Sequence, residues 1–249
     1  MSDESFLWPI PERVPELHSD QVQAWAWDLD RQPKLIDWQL LDPEELQRAR
    51  RFVYSQDRDR YVRAHAGMRC LLGSYARIEP RDVEFSKDAC GKPRMIRPNH
   101  GEPSSRLFFN LSHTANVAVL ALSARHEIGV DVEAENPRNA KVAERYFSTL
   151  ELHTLGTLPP ELWLRGFYRC WTGKEALLKG EGRGLSGSLH SFDIQADPRQ
   201  PAALLAVRAQ SPVHIDWQLL AVQPTVGVAG TIAIRHREQV ALQCFTFPD

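Results

Sequence analysis

Apolar residues along the chain fall first into a helical rhythm and then into short alternating or continuous runs, and the succession occurs twice. Asp42-Pro43-Glu44-Glu45 offers an N-cap, a proline at the first helical position and an acid at the third, predicting a helix to about Val53. A second helix is predicted from Asp57, where Tyr61, Ala64, Met68, Leu71, Leu72 and Tyr75 recur at steps close to 3.6. Arg48, Arg51, Arg58, Arg60, Arg63 and Arg69 flank these helices and read either as a solvated face or as a set of which a few face an anion. Residues 79–106 read as loop and short strand around the turn Gly91-Lys92-Pro93. Leu107–Leu111, Val117–Ser123 and Ile128–Glu133 then read as an antiparallel meander or close to it.

The second succession opens with a predicted helix over Lys141–Phe147 and a capping box, Ser148-x-x-Glu151, that starts another. Pro160 begins a longer one, and from about residue 190 short apolar strands alternate with Pro and Gly, ending in Val226–Ile234 and Val240–Phe247. Thr114-Ala-Asn-Val-Ala is faintly echoed by Thr225-Val-Gly-Val-Ala. The expected fold is α+β, with two similar halves, residues 1–125 and 126–249, each a small antiparallel sheet packed with helices.

Composition agrees with an ordinary folded protein: 249 residues, 43% hydrophobic and 25% charged. Thirty cationic against thirty-two acidic side chains give a net charge of -2, which removes the simplest argument for a nucleic-acid partner. The opening MSDESFLWPIPERVPEL has acids and prolines where a signal peptide needs a basic and an apolar segment. No stretch approaches 18 apolar residues, so no membrane span is expected, and a soluble cytoplasmic monomer is the expectation. Cys70, Cys90, Cys170 and Cys244 are scattered without metal or disulfide spacing and read as packing residues.

The chemistry concentrates in a few acids. In Ile128-Gly129-Val130-Asp131-Val132-Glu133, alternation puts Asp131 and Glu133 on one strand face, about 7 Å apart. Glu175 lies on the core-facing stripe Leu164, Phe167, Trp171, Leu178 and needs a partner there. Lys179, at i+4, could supply an ordinary ion pair. Alternatively Glu175 joins Asp131 and Glu133 around a hard divalent cation such as Mg²⁺, leaving Lys179 for a phosphate. Gly180-Glu181-Gly182-Arg183-Gly184-Leu185-Ser186 reads as a flexible C-terminal cap without phosphate-loop spacing. His113 ends a strand at a turn, where its side chain is either satisfied by backbone or reaches a cleft.

Taken in order, Gly91-Lys92-Pro93, Phe109-Asn110-Leu111-Ser112-His113, Ile128 to Glu133, and Trp171-Thr172-Gly173-Lys174-Glu175-Ala176-Leu177-Leu178-Lys179 with Glu181 to Ser186 behind it resemble the 4'-phosphopantetheinyl transferases. The likeness is to the longer Sfp-type members and spans roughly residues 48 to 186. It implies two similar α+β halves with the site in the cleft between them, and transfer of the phosphopantetheine arm from coenzyme A to a serine of an apo acyl- or peptidyl-carrier protein. By position, Asp131, Glu133 and Glu175 would hold Mg²⁺, while Lys179, His113 and Arg48 would meet phosphates. Gly91, Lys92 and Pro93 would stand on the adenine side, with Asn110 and Ser112 lining the same pocket. Glu151 falls where some members are proposed to carry the general base, although its capping box already accounts for it; a water on the metal, or Glu133, are the alternatives. Glu45 departs from relatives with a basic residue there, which would leave Arg48 and another arginine, Arg60 or Arg63, to grip the phosphates. Two other functions fit the same residues: a Mg²⁺-dependent hydrolase of pyrophosphate-containing nucleotides, and a non-catalytic module that binds carrier proteins.

Overall fold

The computed structural model describes residues 6–96, 107–137, 142–182, 189–208 and 213–248. In chain order the elements are β1 (Gln21–Asp28), α1 (Leu35–Leu40), α2 (Pro43–Ala49), α3 (Ser55–Ala76), β2 (Glu84–Lys87), β3 (Pro93–Ile96), β4 (Phe108–Thr114) and β5 (Val117–Ser123). They continue with β6 (Ile128–Ala134), α4 (Ala143–Tyr146), α5 (Thr149–Thr157), α6 (Pro160–Glu181), β7 (Phe192–Ile194), β8 (Leu204–Val207), β9 (Trp217–Val222), β10 (Val228–Arg235) and β11 (Ala241–Thr246).

The succession is a structural repeat. Strands β1, β5 and β4 are neighbours in one sheet; β6, β10 and β9 take the corresponding places in the other. Each first strand leads through short helices into a 22-residue helix, α3 or α6, and then into a two-stranded hairpin, β2–β3 or β7–β8. The echoed pentapeptides lie at equivalent turns, between β4 and β5 and between β9 and β10. Strand β11 breaks the symmetry by returning from the C-terminus to pair in parallel with β1.

Alternation along each strand explains the layers. Val22, Ala24 and Ala26 of β1, with Val117, Val119 and Ala121 of β5, pack against Ile128, Val130, Val132, Ile232 and Ile234 of the second sheet. The other face of the first sheet, Trp25, Trp27, Leu120 and Leu122, receives Ala64, Met68, Leu71 and Leu72 of α3. Phe167, Leu177 and Leu178 of α6 fill the corresponding core of the second half with Trp217 and Leu219.

Several sequence expectations change. The meander is broken: β5 and β4 form a hairpin, but β6 pairs with β10 in the second sheet. Helix α2 stops at Ala49 rather than Val53, because Val53 and Tyr54 are exposed and bury nothing that would hold them helical. Arg69 is neither solvated nor turned to an open anion site. It is fully buried, with Nε and Nη2 2.7 Å from Glu45 and Asp42. The α4 segment is shorter than expected, and Lys141 falls outside the described residues, as does residue range 183–186 of the glycine-rich run. Strand β1, central to the first sheet, was not read from the sequence despite its Val22-x-Ala24-x-Ala26 alternation.

Between the halves, β4 and β6 run side by side without a backbone ladder. Side chains of β4 supply the acceptors instead: Asn110 Oδ1 takes the Val130 N–H at 2.8 Å, Ser112 Oγ the Val132 N–H at 3.3 Å, and Thr114 Oγ1 the Ala134 N–H at 3.1 Å. The constant offset of 20 residues means that the two strands run parallel.

Helix α6 lies directly on β6. A Cβ on Gly129 would stand 2.0 Å from the Ala176 carbonyl oxygen and 2.4 Å from the Gly180 nitrogen, so backbone packs on backbone there. Gly129→Ala is expected to cost about 3 kcal/mol or more, because rigid backbone cannot yield as a side chain would. Equilibrium denaturation checks this; a loss below about 1 kcal/mol would contradict the packing described.

Candidate active site

Period two places Gly129, Asp131 and Glu133 on the α6 side of β6, while Val130 and Val132 enter the core between the sheets. The glycine admits the helix, and the two acids face its side chains. Asp131 is buried, and its Oδ1 accepts from Lys179 Nζ at 2.6 Å and Ser112 Oγ at 3.3 Å. Lys179 also donates to Ser112 Oγ at 3.0 Å. Ser112 thus joins Asp131, Lys179 and the β6 backbone. Lys179 pairs with Asp131 rather than with Glu175, and does not stand free of the acids as the sequence reading expected.

Glu133 turns to the rim. Its Oε2 accepts from Thr114 Oγ1 at 3.3 Å and its Oε1 from Trp171 Nε1 at 3.4 Å. Neither partner was singled out from the sequence, although Thr114 continues the Asn110-x-Ser112-x-Thr114 alternation. Asp131 Oδ2 and Glu175 Oε1 are buried without any hydrogen-bond partner. Among the described residues no group of three or more His, Cys, Asp or Glu side chains forms a ready metal cage. The physical reason is visible: Lys179 occupies one oxygen of Asp131, and Thr114 and Trp171 hold Glu133 aside.

Burial and mutual repulsion nevertheless act on all three acids. Burial pushes the Asp131 carboxyl up despite Lys179. Burial and then the Asp131 charge push Glu133 up. Glu175 is raised to about 7 by burial and by Asp131 and Glu133, against the pull of Lys179. Two orphaned buried oxygens on neighbouring carboxylates are the donor set that a hard divalent ion suits.

On the other side stands a basic wall. His113, at the end of β4, keeps exposed surface. Its surroundings, and then the charges of His65, Lys179, Arg48 and Arg60, lower its pKa. Those five groups come from α2, α3, β4 and α6. Arg48 stands over the Tyr61 ring at 5.7 Å from its centroid. Of the other arginines, Arg60 pairs with Asp30 at 2.6 Å and Arg63 lies 3.7 Å from Asp37.

Two expected site residues are spent elsewhere. Glu151 is fully buried; its Oε2 accepts the Ser148 N–H at 2.8 Å, and its Oε1 accepts the Ile194 N–H at 2.7 Å and meets Lys174 Nζ at 2.9 Å. A carboxylate so enclosed has no approach for a substrate hydroxyl, so the structure assigns it to the capping box and the core. Lys92 is also buried: Nζ donates to the carbonyls of Ile128 at 2.9 Å and Gly180 at 2.8 Å, and pairs with Glu127 Oε2 at 3.1 Å. Its ammonium therefore joins the start of β6 to the end of α6, and cannot also meet a ligand. Gly91, with φ of 85°, makes the β2–β3 turn, and Pro93 opens β3. Asn110 and Ser112 are buried in the β4–β6 seam, where Ser112 also meets Asp131 and Lys179.

Comparison with known proteins agrees with this arrangement of two halves. A model described as 4'-phosphopantetheinyl transferase superfamily matches residues 127–233, and one described as 4'-phosphopantetheinyl transferase, N-terminal, matches residues 26–125. The class is thus a phosphopantetheinyl transferase with both halves present. The chain belongs to the 4'-phosphopantetheinyl transferase family and is Sfp-like. It is 33% identical to 4'-phosphopantetheinyl transferase HetI of Nostoc sp. over 236 residues, 94% of this chain and 89% of that protein. It is 27% identical to 4'-phosphopantetheinyl transferase Sfp of Bacillus subtilis, over 70% of this chain and 75% of that one. The human L-aminoadipate-semialdehyde dehydrogenase-phosphopantetheinyl transferase is 27% identical over 67% of this chain and 57% of its own.

Lys92→Met should lower stability by about 2–3 kcal/mol, since it strands two buried carbonyls, while Glu127 keeps Arg94 as its partner; chemical denaturation measures it. A second expectation follows from Glu175. An acid whose folded pKa lies above its ordinary value of 4.5 makes the folded state lose stability as pH rises from there through about 7. Glu175→Gln should therefore stabilise the metal-free protein at pH 8, on the order of 1 kcal/mol after allowance for solvent screening. At pH 4.5 it should match the parent. Thermal unfolding across that range, with no gain at pH 8, would contradict the acid cluster.

Proposed function

We propose that this enzyme transfers the 4'-phosphopantetheine arm of coenzyme A to a serine of an apo acyl- or peptidyl-carrier protein, with Mg²⁺ as its metal. The observation that carries the reading is the pair of buried, orphaned oxygens on Asp131 and Glu175, beside Lys179 and near enough to His113 for the charges of Lys179, Arg48 and Arg60 to act on it. Asp131 and Glu175 would hold the metal, with Glu133 beside them. When bound, Mg²⁺ supplies charge neutralisation at the pyrophosphate.

In the transfer, the serine oxygen forms a bond to the phosphorus that bears the pantetheine. The bond from that phosphorus to the bridging oxygen breaks, and adenosine 3',5'-bisphosphate leaves. Repulsion between the nucleophile and an anionic diphosphate is the main barrier for which charge can compensate. Lys179 reaches the reacting phosphates from its place on Asp131, and His113 and Arg48 hold the remaining anionic charge. Glu151 being enclosed in the core, the serine proton passes to Glu133, whose carboxylate keeps an open side at the rim.

A single chain supplies both walls of the cleft, so the enzyme acts as a monomer. Coenzyme A and newly made carrier proteins meet in the cytoplasm, which we take as its location. Among the described residues no helix is long and apolar enough to cross a membrane.

Incubation with coenzyme A, Mg²⁺ and an apo carrier protein should add the arm to the carrier, read by intact mass. Asp131→Ala and Lys179→Ala should each lower turnover at least 100-fold in folded protein. Near-parental turnover in either would overturn the site. Equal nucleotide release with and without carrier would make the enzyme a hydrolase instead.

A further inference from the structure

Between β1 and β11 the described strands pass from one large sheet to the other twice. The chain leaves the first sheet at residues 124–127, between β5 and β6, and returns to it at residues 236–240, between β10 and β11. Both crossovers lie at one end of the molecule, because β6 and β10 are antiparallel neighbours whose register pairs Ile128 with Ile234. Their ladder runs one step further, through the Arg235 N–H, which donates to the Glu127 carbonyl at 2.9 Å. The same register sets His236 opposite His126. The two rings stack, with centroids 4.1 Å apart and planes at 23°.

Hydrogen bonds hold the backbone under each ring. The His126 N–H donates to Ser123 Oγ at 3.1 Å, and Gln218 Nε2 of β9 donates to the carbonyls of His236 and Glu238. Inward of the stack, Ile128, Ile234 and Val240 are buried in the core that the two sheets share. One histidine from each crossover thus closes the end of that core.

Arg125 and Glu127 flank His126, while Arg235, Arg237 and Glu238 flank His236. Glu127 is taken by Lys92 and by Arg94 of β3, and Asp216, just before β9, is taken by Arg235. From the segment ahead of β1, Arg13, Glu16 and His18 share a cavity wall with Arg125, and the Asp20 carbonyl accepts the Ala241 N–H. Glu16, Asp20 and Glu238 are exposed to water. Burial, then His236 and Arg125, lower the His126 pKa below its ordinary 6.5. Stability from such a base is present above that value and is lost as pH falls from it.

Two neutral rings, or one neutral and one charged, attract at this distance, whereas two imidazolium rings repel. Parting the crossovers would free the start of β6, the strand that carries Asp131 and Glu133. We propose that the His126–His236 stack is a pH-sensitive clasp: it holds the crossovers together while either ring is neutral, and opens when acid charges both, loosening the hold on coenzyme A. The link to coenzyme A rests on the reading under Proposed function.

The test compares the parent with the double variant His126→Phe/His236→Phe, which keeps two rings to stack but cannot charge them. Thermal unfolding and isothermal titration of coenzyme A are run at pH 7.5 and 5.5. At pH 7.5 the two proteins should bind coenzyme A within about twofold of each other. Between pH 7.5 and 5.5 the parent should lose about 3 °C more in Tm than the variant, and about fivefold more in affinity. His113 and the acids titrate alike in both proteins, so their effects cancel. Should the double variant not fold, His126→Gln, which also prevents the double charge, carries the same comparison. Equal falls in Tm overturn the clasp, and a gap in Tm without one in affinity overturns its hold on the site. Failure of the parent to bind coenzyme A at pH 7.5 would instead overturn the proposed function, leaving the unfolding comparison to decide the clasp.

Discussion

Strand β6 has to satisfy its amides along two edges at once. Along one, β10 supplies a regular antiparallel ladder. Along the other, Asn110, Ser112 and Thr114 reach across from β4 with side-chain oxygens. An amide left unpaired in such a place costs about 1–3 kcal/mol, so these three residues join the halves as firmly as a short ladder would. Asp131, Ser112 and Lys179 meet at that seam. The residues that unite the two halves therefore also touch Asp131, Glu133 and Lys179.

Lys92 and Gly129 set the other side of the same geometry. Gly129 lets α6 descend onto β6, and Lys92 holds the end of that helix through the Gly180 carbonyl, where a cation is also favoured by the helix dipole. Glu175 and Lys179 are thereby placed opposite Asp131. The protein keeps acids with raised pKa in this position, a cost to the folded chain that well-satisfied networks elsewhere offset. Arg69 with Glu45 and Asp42 braces the first half, and Lys174 with Glu151 braces the second.

Much of this was legible in one sequence. Local rules held where a signal was carried by neighbours in the chain: both capping boxes form, at Asp42/Glu45 and Ser148/Glu151. The apolar stripe of α3 is buried as its spacing implied, and the repeat of helices and strands became two sheets of matching order. Where each side chain would find its partner was not legible. Lys179 had two acids to choose from, and its helical neighbour Glu175 lost to Asp131, 48 residues away. Lys92 as ligand and Glu151 as base came only from the family resemblance, and burial gave both to the core.

The sequence by itself determined which residues alternate, which stripes are apolar, where helices begin, and that acids and cations were to be gathered, because period, capping and charge are properties of neighbours along a chain. The tertiary structure alone decided that β6 leaves the meander for a second sheet. It also decided that His126 stacks on His236, and that Asp131 and Glu175 keep oxygens unpartnered while Glu151 keeps none. Those outcomes depend on competition among groups distant in sequence for a limited set of buried hydrogen bonds, and only the packed fold resolves that competition.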